Sequence, residues 1–348
     1  MQNKPPTIKD IAQRLHLSIS TVSRALRNAA DINPETKKIV IELAEQLNYQ
    51  PNRLALSLRQ KQTNTIGVIV PNLDYVLSTM VKGIDEAALE AGFTVIVCQS
   101  NESFGREVVN TRRMLNSLVD GFIISISSET KTNEHFKVLK EREIPFVTFD
   151  RIIPELVASS VILDNEEGGF IATEHLIEQG YNKIAILAGP KSLGISNSRL
   201  EGYKMALKKH NIKFDPELVV NCDFNQDFAY FATEELLNSK KRPDAIFTIS
   251  DRMAIGAMLA IKKRGLKMPD DIGLVGFNNE PSLDLFSPSI SSVEQPSFEI
   301  GKMAGKVFIE QFLNNDFSTA KEIILKPKLY VRESSCKMTK NKDKFDRN

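Results

Sequence analysis

From Thr65 onward the chain repeats one pattern, a run of apolar and β-branched residues followed by a stretch of helical period. The runs are TIGVIV, FTVIVCQS, DGFIIS, IPFVTFD, KIAILAG, LVVNCDF, DAIFTIS and IGLVGF; helical-period stretches at 76–91, 166–179, 197–210, 252–264 and 298–314 separate most of them. Runs so continuously apolar belong to strands buried on both faces, and their alternation with helices means a parallel α/β sheet. The units are too many for one small sheet. A break near 161–165, VILDN, divides them into two similar lobes. In such lobes the loops at the carboxyl ends of the strands face the ligand, which places a cleft between the lobes.

Residues 7–61 carry a different signal, all helical. Thr7 is an N-cap with Asp10 three residues on, as in a capping box. Ile8, Ile11, Ala12 and Leu15 then mark one helix face. Leu17 sits in a tight turn, and Ser18 caps a second helix whose inward residues are Val22, Ala25 and Leu26. Asn33 followed by Pro34 starts a third helix, with Val40, Leu43, Ala44 and Leu47 as its stripe and Asn48 and Pro51 at its end. The first two helices are spaced as a helix-turn-helix. Ile19, Ser20, Ser23, Arg24 and Arg27 face outward. Short hydroxyls at a helix N-terminus add donors for phosphate without bulk, and Arg24 is long enough to reach a guanine edge. The alternative is a serine cap on an ordinary surface helix. Charge favours the DNA reading: through residue 61, ten Lys and Arg face five Asp and Glu, although the whole chain carries only +1. Between the two parts, YQPNRLALSLRQKQTN (49–64) holds a short amphipathic segment, 53–59, that is marginal as a helix until something docks on it.

At 348 residues the chain accommodates two or three domains. Three separated cysteines, Cys98, Cys222 and Cys336, indicate neither a disulfide framework nor a zinc site. The opening residues lack a secretory apolar core, and no apolar run reaches the ~18 residues of a membrane span, so a cytoplasmic location without membrane is expected. The charged tail after Val331 reads as disordered, without heptads. No cofactor, metal or enzyme signature is found: GPKSLGIS (189–196) lacks P-loop spacing, and the four histidines lie far apart.

TIKDIAQRLHLSISTVSRALRN, NPETKKIVIELAEQLNYQPNRLALSLR and TIGVIVPNLD together resemble the LacI/GalR family of bacterial transcriptional regulators. VDGFIIS, IPFVTFDR, SRLEGY, SDRMAIGAM and DDIGLVGFNN extend the resemblance over about 4–334. It implies an all-α helix-turn-helix headpiece at 1–50, a hinge helix and linker at 51–64, and an α/β core at 65–334 like the two-lobed periplasmic sugar-binding proteins, before a tail at 335–348. Lobe 1 is expected at about 65–162 plus 293–324, lobe 2 at about 163–292 plus 325–334. The implied partners are a pseudo-palindromic double-stranded DNA operator, a small-molecule effector, and a second copy in a homodimer.

By the same resemblance Ile19, Ser20 and Arg24 read bases, while Thr7, Ser18, Thr21, Ser23, Thr36 and Asn52 contact phosphates. Leu58 wedges into the minor groove with Arg59 beside it; packing of Leu58 on the core is the competing reading. Asp150, Arg199 and Ser250 fall at effector positions, with Ser125 a fourth. A carboxylate and a guanidinium across a cleft divide a sugar's hydroxyls between acceptor and donor. The competing roles are a loop cap for Asp150 and a structural ion pair for Arg199. Two departures bear on the effector. Asn278 stands where many relatives have Asp, which counts against a simple hexose. Val76 and Leu77 replace two aromatics, which counts against a planar purine, with Tyr75 or Phe224 able to compensate. A sugar-responsive repressor is expected; a non-sugar effector, an activator and a plain solute-binding protein are the alternatives.

Overall fold

The computed structural model describes residues 6–49, 62–117, 119–153, 155–317 and 319–337. Asn52, Leu58, Arg59 and the segment 338–348 lie outside the described residues. The chain divides into two compact units, Met1–Thr63 and Asn64–Asn348.

The first unit holds α1 (Ile8–Arg14), α2 (Ile19–Leu26) and α3 (Pro34–Gln46). The Asp10 carboxylate accepts both the backbone N–H and the hydroxyl of Thr7, each at 2.7 Å, which fixes the start of α1. His16 turns the chain at φ +53°, and the Leu17 N–H donates to the Ala12 carbonyl at 2.9 Å. Ser18 Oγ then caps α2 by accepting the Thr21 N–H at 3.0 Å. Asn33 Oδ1 caps α3 through the Glu35 N–H at 2.9 Å, with Pro34 in the first turn. Ile11, Ala12, Val22, Ala25, Val40 and Ala44 form the buried centre, ringed by half-buried Ile8, Leu15, Leu17, Leu26, Leu43 and Leu47. Small Ala12 and Ala25 let short helices cross closely enough to share so small a core.

The second unit contains two six-stranded sheets. In the first, β1 (Thr65–Val70), β2 (Thr94–Gln99), β3 (Gly121–Ile124), β4 (Phe146–Phe149), β5 (Ser159–Leu163) and β11 (Glu322–Leu325) run in the order β11-β5-β4-β3-β1-β2, all parallel. In the second, β6 (Ile184–Ala188), β7 (Val219–Asn221), β8 (Ala245–Thr248), β9 (Gly273–Asn278), β10 (Ser291–Glu294) and β12 (Lys328–Tyr330) run β12-β10-β9-β8-β6-β7, with β12 antiparallel to β10. The order reverses beside β1 and beside β6, so each sheet opens a crevice at the carboxyl ends of its strands there.

Among the described residues, eight helices cover the sheets: α4 (Tyr75–Glu90), α5 (Phe104–Asn116), α6 (Glu134–Glu141), α7 (Asn165–Glu178), α8 (Gly194–Lys209), α9 (Gln226–Asn238), α10 (Asp251–Lys263) and α11 (Ser297–Asn314). The chain passes between the lobes three times: from β5 into α7, from β10 into α11, and from β11 into β12. α7 and α8 touch backbone to backbone, because a Cβ at Gly169 would collide with the Arg199 carbonyl and one at Gly202 with that of Glu166.

The break read near 161–165 contains the crossing: β5 ends at Leu163 and the chain leaves the first lobe at Asp164. Two sequence expectations need correction. β2 is half-exposed rather than buried on both faces, because it forms a sheet edge. The reading of everything past Val331 as disordered also fails for Arg332–Lys337. Ser334 Oγ donates to the Leu274 carbonyl at 2.6 Å and accepts the Ser291 N–H at 2.9 Å. Ser335 Oγ lies 2.7 Å from Ser291 Oγ and 2.8 Å from His175 Nε2. These small hydroxyls satisfy buried polar groups, a role that composition does not reveal.

Candidate functional site

In the first unit, α2 presents the side chains that the sequence picks out for DNA. Ile19 is 46% exposed, and Ser20 and Arg24 also face solvent. The Ser18 hydroxyl lies 2.7 Å from that of Ser20 and 2.8 Å from that of Thr21, a short chain of hydroxyls across the helix N-terminus. Arg27 donates to the Ser23 carbonyl at 3.1 Å, and Arg24 pairs with Asp31. Thr36 is half-buried near the start of α3, and Thr7 caps α1. Ser18 and Thr7 therefore mark two helix N-termini, where backbone N–H groups favour an anion.

In the second unit, a cleft of about 490 Å³ lies between the lobes, within the range of small-ligand sites. Asp150 ends β4 at φ +59°, a backbone state that non-glycine residues keep only where the surroundings hold them. Its Oδ1 accepts Gln295 Nε2 at 2.9 Å. Gln295 lies on the crossing into α11, and its Oε1 accepts Arg199 Nη2 at 3.4 Å. Arg199, on α8, also donates to Asn165 Oδ1 at 2.8 Å and to the Ile249 carbonyl at 2.6 Å, with its guanidinium 3.6 Å over the Phe277 ring. Burial lowers the Arg199 pKa to about 9, against the charge of Asp150, and leaves it a cation at neutral pH.

One relay thus runs from lobe 1 through a crossing strand to lobe 2. The sequence pointed to its two ends but not to Gln295 or Asn165, polar residues at crossings that carry no motif.

Ser250 caps α10 through the Met253 N–H at 3.3 Å and lines the cleft with Asn278 and Phe224. Asn278 stands at φ +116°. Ser125 does not join them: it is fully buried, its hydroxyl has no hydrogen-bond partner, and it is absent from the cleft wall. One residue past the end of β3, its side chain is enclosed before the loop reaches the opening. Tyr75 is also absent from the wall, so among the aromatics named Phe224 alone serves there, beside Val76 and Leu77. Further wall residues were not foreseen: Asp74, Glu102, Arg151, Arg252 and Glu280. Partial loss of water raises the carboxyl pKa of both Asp74 and Glu280; Asp74 adds to the rise at Glu280, while Arg252 opposes it at each. Behind the wall, burial pushes Asp251 up to about 8 even though it accepts Ser292 Oγ at 2.6 Å and the Glu280 N–H at 2.8 Å.

Residues 7–52 match the family described as bacterial regulatory proteins, lacI family, and residues 173–335 match the periplasmic binding protein-like domain. The ribose operon repressor of Halalkalibacterium halodurans is 33% identical over 333 residues, 94% of this chain and 97% of that protein. This chain belongs to the LacI family. It is a DNA-binding transcriptional regulator and not an enzyme, with the helix-turn-helix and two-lobed architecture of that family. The crystal structure of the lac repressor dimer bound to operator and the anti-inducer ONPF aligns with a TM-score of 0.86 at 26% identity, covering 96% of this chain and 100% of the other. A LacI family regulator from Enterococcus faecium with bound ribose aligns with a TM-score of 0.68 at 27% identity, covering 78% of this chain and 98% of the other. Among the described residues of this LacI-family chain, no helix is long and apolar enough to cross a membrane.

Proposed function

We propose that this protein is a repressor that binds a pseudo-palindromic operator as a homodimer and is released or retained by a small sugar in the interlobe cleft. Ile19, Ser20 and Arg24 read bases; Thr7, Ser18, Thr21, Ser23 and Thr36 contact phosphates, with Asn52, Leu58 and Arg59 of the linker completing the contact. Asp150, Arg199, Ser250, Asn278 and Phe224 bind the effector.

The observation that carries this reading is the Asp150–Gln295–Arg199 relay at the cleft floor. An acceptor and a donor from opposite lobes, joined through a crossing strand, suit the hydroxyls of one sugar ring. A ligand that bonds to both ends ties the lobes together, and that closure is a change the DNA-binding unit can sense. The named function of the ribose operon repressor and the ribose in the Enterococcus faecium regulator favour a pentose.

Genome-wide selection of bound duplexes, followed by fluorescence anisotropy with and without D-ribose, tests the proposal. The expected result is a two-fold related site whose affinity falls steeply with salt and changes when the sugar is added. Binding that ignores sequence at every salt concentration, with every sugar, refutes it.

A further inference from the structure

Glu102 belongs to none of the motifs that mark the cleft, yet it ties one whole wall of it together. It stands between β2 and α5 at φ +58°, a left-handed state that persists only where neighbours enforce it. Its carboxylate accepts Arg151 Nη1 at 2.8 Å and Nη2 at 3.0 Å, a two-point charged pair. It also accepts the Ser128 N–H at 2.8 Å and Asn72 Nδ2 at 3.3 Å. Asn72, Ser128 and Arg151 follow β1, β3 and β4, so Glu102 joins its own loop to three others at the carboxyl end of the sheet. Burial works to raise its carboxyl, but the Arg151 and Ser128 hydrogen bonds prevail and hold it below the usual carboxylate range.

The consequence falls on Arg151. That residue is 7% exposed and lines the cleft. Its Nη1 donates further to the Ile126 carbonyl at 3.2 Å. Its Nε has no hydrogen-bond partner and lies 3.8 Å from Asp150 Oδ2, too far for a hydrogen bond. A buried donor without a partner beside a carboxylate that can accept is an arrangement for a group that does both, which is a hydroxyl.

We propose that Glu102 is a positioning and specificity residue: it fixes and neutralises Arg151 so that the cleft takes an uncharged, hydroxyl-rich effector and rejects a phosphorylated one. The floor then holds Glu102 and Asp150 against Arg151 and Arg199, with no uncompensated charge. The rest of the lining adds Asp74, Glu129, Asp223 and Glu280 against one further cation, Arg252. A phosphate group brings nearly two negative charges and finds no unpaired cation at the floor. This inference rests on the sugar-effector reading.

The test is calorimetry on the full chain with D-ribose, D-ribose 5-phosphate and inorganic phosphate. It compares the wild type with Glu102→Gln and with the double variant Glu102→Gln/Arg151→Gln. The wild type is expected to bind ribose and exclude both phosphates. Glu102→Gln should bind ribose about ten- to a hundred-fold more weakly, as for a lost charged hydrogen bond. It should also gain phosphate binding, because Arg151 is left unneutralised. The double variant should lose ribose affinity without gaining phosphate. A purely structural lesion lowers affinity and confers no new anion binding.

Equal binding of ribose and ribose 5-phosphate by the wild type, or an unchanged preference in Glu102→Gln, overturns the proposal. If no sugar binds the wild type, the effector reading fails by itself. The inorganic phosphate arm still decides the role of Glu102: a gain in the single variant that the double variant lacks supports it, and no gain overturns it. Should Glu102→Gln not fold, Glu102→Met, which also removes the charge, replaces it. Phosphate uptake by that variant supports the role, and weaker ribose binding with phosphate still excluded overturns it.

Discussion

A buried guanidinium is costly unless every face of it is used, and Arg199 uses its faces on Asn165, the Ile249 carbonyl, Gln295 and the Phe277 ring. Lysine retains the charge but cannot reproduce a planar fork over an aromatic ring. Arg199→Lys is therefore expected to weaken effector binding at least about tenfold while sparing operator affinity without effector, read by calorimetry and anisotropy in parallel. In the first unit, Ser18→Ala removes the acceptor for the Thr21 N–H. The cost should be about 1 kcal/mol, seen as roughly fivefold faster amide exchange in the first turn of α2. Sequence reading reached these residues by different routes: Ser18 as a cap before a helix, and Arg199, within helix α8, through the resemblance carried by SRLEGY. It took Asp150 from FDR and passed over Arg151 next to it. Arg151 becomes legible only through Glu102, which lies 49 positions away in sequence. Gln295 and Asn165 were hidden for a similar reason, since an uncharged amide gains meaning only from what the fold sets opposite it.

At the scale of elements, the strands lying inside apolar runs were legible, and β5, β10, β11 and β12 were not. β10 is SSVE and β12 is KLY, too polar or too brief to stand out, and both pair at the side of the second sheet where the chain returns. The tail belongs with them. Arg332–Lys337 continues past β12 and is anchored by Ser334 and Ser335 against Ser291, Leu274 and His175. His175 gives this anchor a pH dependence. Burial lowers its pKa from 6.5 to about 4, so the folded chain holds the ring neutral where the unfolded chain would protonate it. The native state then binds fewer protons in that interval, and stability is lost as pH falls from 6.5 toward 4. Urea midpoints measured from pH 7.5 down to about 4.5 should fall, by up to about 3 kcal/mol in stability from this group. His175→Gln should flatten that part of the curve, and an identical slope in the variant argues against the assignment.

Across the whole molecule, three crossings link two lobes that otherwise have separate sheets, and the polar relay passes through one of them at Gln295. An effector changes operator affinity only by binding the two lobe arrangements unequally. Linkage then imposes a symmetry that needs no structural detail: the factor by which ribose changes operator affinity must equal the factor by which operator changes ribose affinity. Both are measurable, the first by anisotropy at zero and saturating ribose, the second by calorimetry with free and operator-bound protein. The structure says where to break this coupling. Gln295→Ala removes the bond that joins Asp150 to Arg199 but leaves both charged groups in the cleft. Ribose should still bind, through each lobe separately, while the coupling factor falls from its wild-type value toward 1 in both measurements together. A variant that loses ribose affinity yet keeps the full coupling factor would place the linkage in another crossing and relieve Gln295 of the role.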